Sequence, residues 1–88
     1  MSIQRIKILR RFFESVKSGL KTFEIRDNSD RNFQAGETLH FIEVEERNHI
    51  LIDTGRVLWG RITYVTNYEQ KPGYVVFAFT LLANPETT

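Results

Sequence analysis

Short runs of alternating apolar and polar residues recur along this 88-residue chain, and a single segment departs from them. A period of two sends successive side chains to opposite faces, so each run calls for a β-strand with one buried face. Ile6 and Ile8 alternate with Arg5 and Lys7. Phe23 and Ile25 alternate with Thr22, Glu24 and Arg26. Over Tyr74–Leu82 the inward set is Val75, Phe77, Phe79 and Leu81. Thr38–Glu45 is inconsistent, with Leu39 and Phe41 on one parity and Ile42 and Val44 on the other, which predicts a β-bulge or bend near Phe41-Ile42. His49–Ile52 reads as a short strand, Asp53-Thr54-Gly55 as a turn, and Val57–Val65 as a long strand in which Gly60 offers a place to bend. The exception is Leu9, Phe12, Phe13, Val16 and Leu20, whose spacing predicts a helix over residues 10–18 that Gly19 terminates.

Five or six short strands and one early helix in so few residues would leave apolar edges open in a flat sheet. Closure removes them, so the expected fold is a mixed β-barrel with one short α-helix, of α+β class. Residues 1–83 form one domain on this reading and Asn84-Pro85-Glu86-Thr87-Thr88 is a tail. A chain this small buries only about 60–65% of its unfolded surface, leaving one modest core with Trp59 in it. No cysteine is present, which excludes disulfides, thiolate nucleophiles and thiolate metal sites. His40 and His49 have no carboxylate at ligand spacing, so no metal is expected, and no phosphate-loop or dinucleotide fingerprint calls for a cofactor. No apolar run approaches the ~18 residues of a membrane span, and no signal-peptide core follows Met1. The expected location is cytoplasmic, with no membrane partner.

The net charge of +1 conceals an uneven distribution. Residues 1–31 hold eight Lys and Arg against four Asp and Glu, for +4, and the remainder carries −3. One positive region on a near-neutral protein points to an anionic partner. The acidic run Glu43-Val44-Glu45-Glu46 reads as a solvated strand end that turns phosphate away.

The positive region contains Gly19-Leu20-Lys21-Thr22-Phe23-Glu24-Ile25-Arg26, a G-x-K-x-x-E-x-R pattern where the helix gives way to a strand. Gly19 lets the chain turn sharply and sets Lys21 at the mouth of the strand. Glu24 and Arg26, two apart, share a face roughly 6–7 Å from each other. Lysine supplies a mobile point charge and arginine a planar fork suited to phosphate or a base edge. Glu24 can hold either cation in place or accept a hydrogen bond from a base. An ion-pair ladder on an exposed face would use the same residues to no functional end.

This pattern resembles the ASCH domain, a branch of the PUA-like superfamily of small β-barrels. Ile6-Lys7-Ile8-Leu9, Phe13-Glu14, Val16-Lys17-Ser18-Gly19, Phe33, Gly36, Thr54-Gly55-Arg56, Ile62-Thr63-Tyr64 and Gly73-Tyr74-Val75-Val76 extend the likeness. Together they resemble the bacterial and phage family DUF3850 over about residues 6–79. The resemblance implies a PUA-like barrel with a cleft where helix meets sheet, and ASCH domains are proposed to bind RNA or modified nucleosides there. Arg10-Arg11 departs from the family pattern, in which Pro and an acidic residue tend to follow the first strand.

Some small ASCH proteins are amidohydrolases that act on N4-acetylcytidine with a Lys, a Thr nucleophile and a Glu. Their Lys matches Lys21, but Glu24 stands where their Thr would be, and their Glu has no counterpart in this chain. Thr22 is displaced from the Thr position by two residues, about 6.6 Å along a strand, beyond the reach of an attacking atom. The residues therefore read as a binding module for RNA or a modified nucleotide rather than as an enzyme. Lys21, Glu24 and Arg26 form the expected site, Arg10, Arg11 and Arg31 supply peripheral attraction, and Tyr64 and Tyr68 are stacking candidates. A hydrolase using Lys21, Glu24 and Thr22 is the first alternative, and a phage or mobile-element protein-interaction accessory the second.

Overall fold

A computed structural model describes residues 2–83. The strands are β1 (Ile3–Leu9), β2 (Phe23–Asp27), β3 (Thr38–Arg47), β4 (Ile50–Thr66) and β5 (Tyr74–Leu82), with helix α1 (Arg10–Lys17) between the first two. They form one mixed sheet in the order β1-β3-β4-β5-β2, parallel between β1 and β3 and antiparallel elsewhere. A parallel neighbour needs a long crossover, and here α1 and β2 supply it. The tail 84–88 lies outside the described residues.

The helix follows β1 directly, with Ser18 as its C-cap and Gly19 at φ +86°, the left-handed backbone that the sequence assigns to it. Phe13 and Val16 are the helical residues that enter the core, against β1 and β3. Phe12 and Leu20, expected on that same apolar face, are exposed: Leu20 lies beyond the end of the helix, and the little more than two turns of α1 offer the core a narrow stripe. The core gathers Ile6, Ile8, Phe13, Val16, Phe33, Leu39, Phe41, Ile62, Val75, Phe77 and Phe79 on one side of the sheet.

The expected barrel is corrected: among the described residues the sheet stays open, and edge strands β1 and β2 form no backbone ladder with each other. Side chains span the gap instead. Arg26 Nη2 on β2 donates to the Lys7 carbonyl of β1 at 2.8 Å, and Arg31 Nη2 donates to the Arg5 carbonyl at 2.5 Å. Gln4 Nε2 completes the lacing with a 2.9 Å bond to the Arg31 carbonyl. Guanidinium groups thus cap carbonyls on a strand edge that would otherwise invite another chain.

Two breaks in register shape β4. Between Ile42 and Val44 of β3, the single residue Glu43 faces three on β4: Thr54, Gly55 and Arg56. The bulge lies one residue beyond the expected place, and its extra residues belong to the partner strand. Gly55, at φ +95°, is absorbed into one continuous strand where the sequence suggested a turn between two. A second shift between Ile62 and Tyr64 leaves Thr63 unpaired with β5. Trp59 is corrected from core to outer face. It pairs with His40 across β3 and β4, the rings stacked at 4.1 Å and 10°, while its neighbour Leu58 packs toward the core.

Candidate functional site

The parity of β2 decides what the cleft contains. Glu24 sits opposite Phe77 and Arg26 opposite Val75, both partners being core residues, so the charged side chains take the inner face. Phe23 and Ile25 are sent outward and remain 46% and 53% exposed. An inner face on β2 is tolerable for charge because β2 is the last strand, at the mouth of the curled sheet beside the gap to β1.

Glu24 is only 6% exposed, and a buried carboxylate needs partners that restore what water supplied. It has two. Lys21 Nζ bonds Glu24 Oε2, and Arg26 Nε donates to Oε1 at 3.0 Å. Each cation is anchored a second time, Lys21 Nζ to the Phe23 carbonyl at 2.9 Å and Arg26 Nη2 to the Lys7 carbonyl. Two positive charges around one negative leave the array at net +1. Arg26 Nη1 has no partner among the described residues.

These residues line a cleft of about 460 Å³ together with Lys7, Ile8, Leu9, Phe12, Phe23 and Ile25. Lys21 Nζ lies 5.7 Å from the ring centre of Phe12 and 5.1 Å from that of Phe23. The cleft therefore combines half-exposed aromatic walls with a cationic floor fixed in geometry by a buried carboxylate. Phe12 and Phe23 are absent from the sequence-based site. For Phe23 the signal was the alternation in Phe23-Glu24-Ile25-Arg26, in which either the apolar or the charged pair has to face outward.

The other expected site residues are elsewhere. Thr22 is exposed and outside the cleft lining, and its carbonyl accepts the Phe79 N–H at 3.1 Å. Arg11 lies over the Phe12 ring at 4.9 Å and is outside the cleft lining. Arg31 is spent on the lacing to Gln4 and Arg5. Tyr64 is on the outer sheet face and Tyr68 in the loop after β4, both exposed.

Arg10 points to a different depression, of about 480 Å³, and pairs with Glu45 at 3.0 Å. Here the reading of the acidic run is corrected, because Glu43 is buried rather than solvated. Arg56 approaches it side-on, Nε to Oε1 at 3.0 Å and Nη2 to Oε2 at 2.7 Å, and the Thr54 hydroxyl donates to Oε1. That fork, aided by Thr54 against the opposing effect of burial, holds the Glu43 carboxyl at about 2. Arg56 also reaches Glu14 of α1 at 3.3 Å and covers the Phe13 ring at 4.5 Å. A carboxylate so stabilised in its charged form is a poor proton acceptor near neutral pH. This cluster ties helix to bulge, and Glu45 and Asp53 beside it balance its arginines.

A family model described as a domain of unknown function (DUF3850) matches residues 3–79. Among curated proteins, nothing matches the chain. No helix among the described residues is long and apolar enough to cross a membrane.

Proposed function

The chain belongs to the DUF3850 family, and on that premise we propose that it is a small binding module for RNA or a modified nucleotide, seated in the cleft of Lys21, Glu24 and Arg26. The observation that carries this reading is the buried Glu24 clamped between two cations on the floor of an aromatic-walled recess. A flat base stacks on Phe12 or Phe23, and phosphate or a base edge takes the remaining donors of Arg26 and Lys21. Glu24 acts as a positioning residue: it holds both cations in place before the ligand arrives, which lowers the cost of ordering them. The PUA-like character proposed for the fold fits the same picture, with a curled sheet and a helix bounding a cleft.

Binding is favoured over hydrolysis because Thr22 presents no hydroxyl to the cleft and Lys21 is already engaged by Glu24 and a backbone carbonyl. Fluorescence anisotropy with a labelled oligoribonucleotide across a salt series tests the reading. The Lys21→Ala, Arg26→Ala double variant should bind at least tenfold more weakly and lose about two charges from the salt slope. An unchanged affinity and slope would remove the site. Release of acetate from N4-acetylcytidine, abolished by Lys21→Ala, would establish the hydrolase instead. Retention of one specific protein with no RNA affinity would favour the accessory role.

A further inference from the structure

The inversion of β2 has a second result, on the opposite side of the sheet. Directly opposed residues share a face, so Phe23, Ala78 and Tyr64 form one outward row across β2, β5 and β4. Ile25, Val76 and Thr66 form the next row, and Tyr74 follows opposite Asp27. Tyr64 is 64% exposed and stands two strand spacings from Phe23, about 10 Å. Between them lies the small side chain of Ala78. Toward the other edge, the outward positions hold Arg61, the stacked pair Trp59 and His40, and Arg5 beside His40. Arg5 and Arg61 are exposed and have no ion-pair partner among the described residues.

We infer that this outer face is a stacking platform for single-stranded nucleic acid, with bases on Tyr64 and Phe23 and phosphates near Arg61 and Arg5. Charge argues for this occupant: unpaired arginines among exposed rings suit a polyanion that carries flat apolar groups. A duplex hides its base faces and cannot use the rings. Continuity argues for it as well, since Phe23 and Ile25 line the cleft and also belong to the outward rows. A strand with one nucleotide in the cleft crosses β2 directly onto Ala78 and Tyr64. The inference rests on the nucleic-acid reading of the cleft for its ligand class and shares Phe23 with it, but Tyr64, Arg61 and Arg5 lie outside the cleft lining.

The test compares a labelled decauridylate, an RNA duplex of the same length and uridine monophosphate on the full chain. Tyr64→Ala should weaken decamer binding roughly tenfold and leave the mononucleotide unaffected, while Tyr64→Phe retains wild-type affinity. The decamer should also quench the emission of Trp59, the sole tryptophan, which the mononucleotide leaves unchanged. Wild-type thermal unfolding of each variant shows that the fold is intact. Decamer binding indifferent to Tyr64→Ala overturns the platform and, if the mononucleotide still binds through Lys21, spares the cleft. Loss of mononucleotide binding with the Tyr64 effect intact does the reverse. No decamer binding, duplex binding as tight as single-strand binding, or a dimer in light scattering that Tyr64→Arg dissociates, each overturns the platform.

Discussion

Glu24 and Glu43 are buried carboxylates with different partners, and the difference separates the proposed binding site from a structural lock. Glu24 shares its charge with two cations in an open cleft and leaves donors to spare. Glu43 receives an arginine fork and a threonine hydroxyl, which saturate it. Removing the fork strands a buried charge, so Arg56→Ala should cost about 3 kcal/mol in urea unfolding at neutral pH. The pH dependence has a definite sign. Glu43 falls from its usual 4.5 to about 2 in the fold, so its stabilisation is complete above about 4.5 and disappears as the pH drops toward 2. Thermal melts between pH 5 and 2 should fall more steeply for the wild type than for Glu43→Gln, which has no carboxyl to protonate. Parallel slopes would refute the assignment.

At the scale of elements, β4 does most of the shaping. Its 17 residues pair with β3 along the first part and with β5 along the second, and each partnership contains one register shift. Gly60, expected as a bending point, is a point of close approach. A Cβ there would lie 3.0 Å from the Thr80 carbonyl oxygen and 3.1 Å from Phe41 Cε2. The carbonyl belongs to the β4–β5 pairing and Phe41 is fully buried, so neither yields cheaply. Gly60→Ala should therefore destabilise the protein by roughly 1–2 kcal/mol, despite the usual gain of alanine over glycine in the unfolded chain. Chemical denaturation measures it, and a neutral or stabilising result would show that the β4–β5 contact relaxes freely.

The whole molecule is an open sheet whose edges are stitched by side chains. Its radius of gyration, 13.1 Å, slightly exceeds the roughly 12 Å of a compact chain this size, in keeping with a β3–β4 hairpin that runs past the core with Ile50, Leu51 and Ile52 exposed. The stitches are specific: Arg26 to β1, and Arg31 with Gln4. Cutting them with Arg26→Ala and Arg31→Ala should speed amide exchange in β2 and the segment 28–37 while β3 and the middle of β4 keep their protection. Hydrogen exchange read by mass spectrometry resolves these segments. Uniform acceleration would mean that the lacing stabilises the whole domain rather than the seam.

Alternation and helical spacing were enough to place β1, β2, β3, β5, the helix and its glycine stop, while β4 was read as two strands parted by a turn at Gly55. Those signals are local, and a run such as Val75, Phe77, Phe79 has one workable orientation at any position in a sheet. The G-x-K-x-x-E-x-R pattern likewise located Lys21, Glu24 and Arg26 in one place. Which face of β2 would be buried, whether the sheet would close, and the fate of Glu43 were decided by tertiary structure alone. Phe23-Glu24-Ile25-Arg26 satisfies either parity, and pairing with Phe77 and Val75 across the gap from the Lys7 carbonyl selects the charged one. Glu43 meets Arg56 only because a bulge thirteen residues further on folds back opposite it. Partners so distant in sequence leave no periodic trace, since their energy depends on where two strands meet and not on what lies beside either residue.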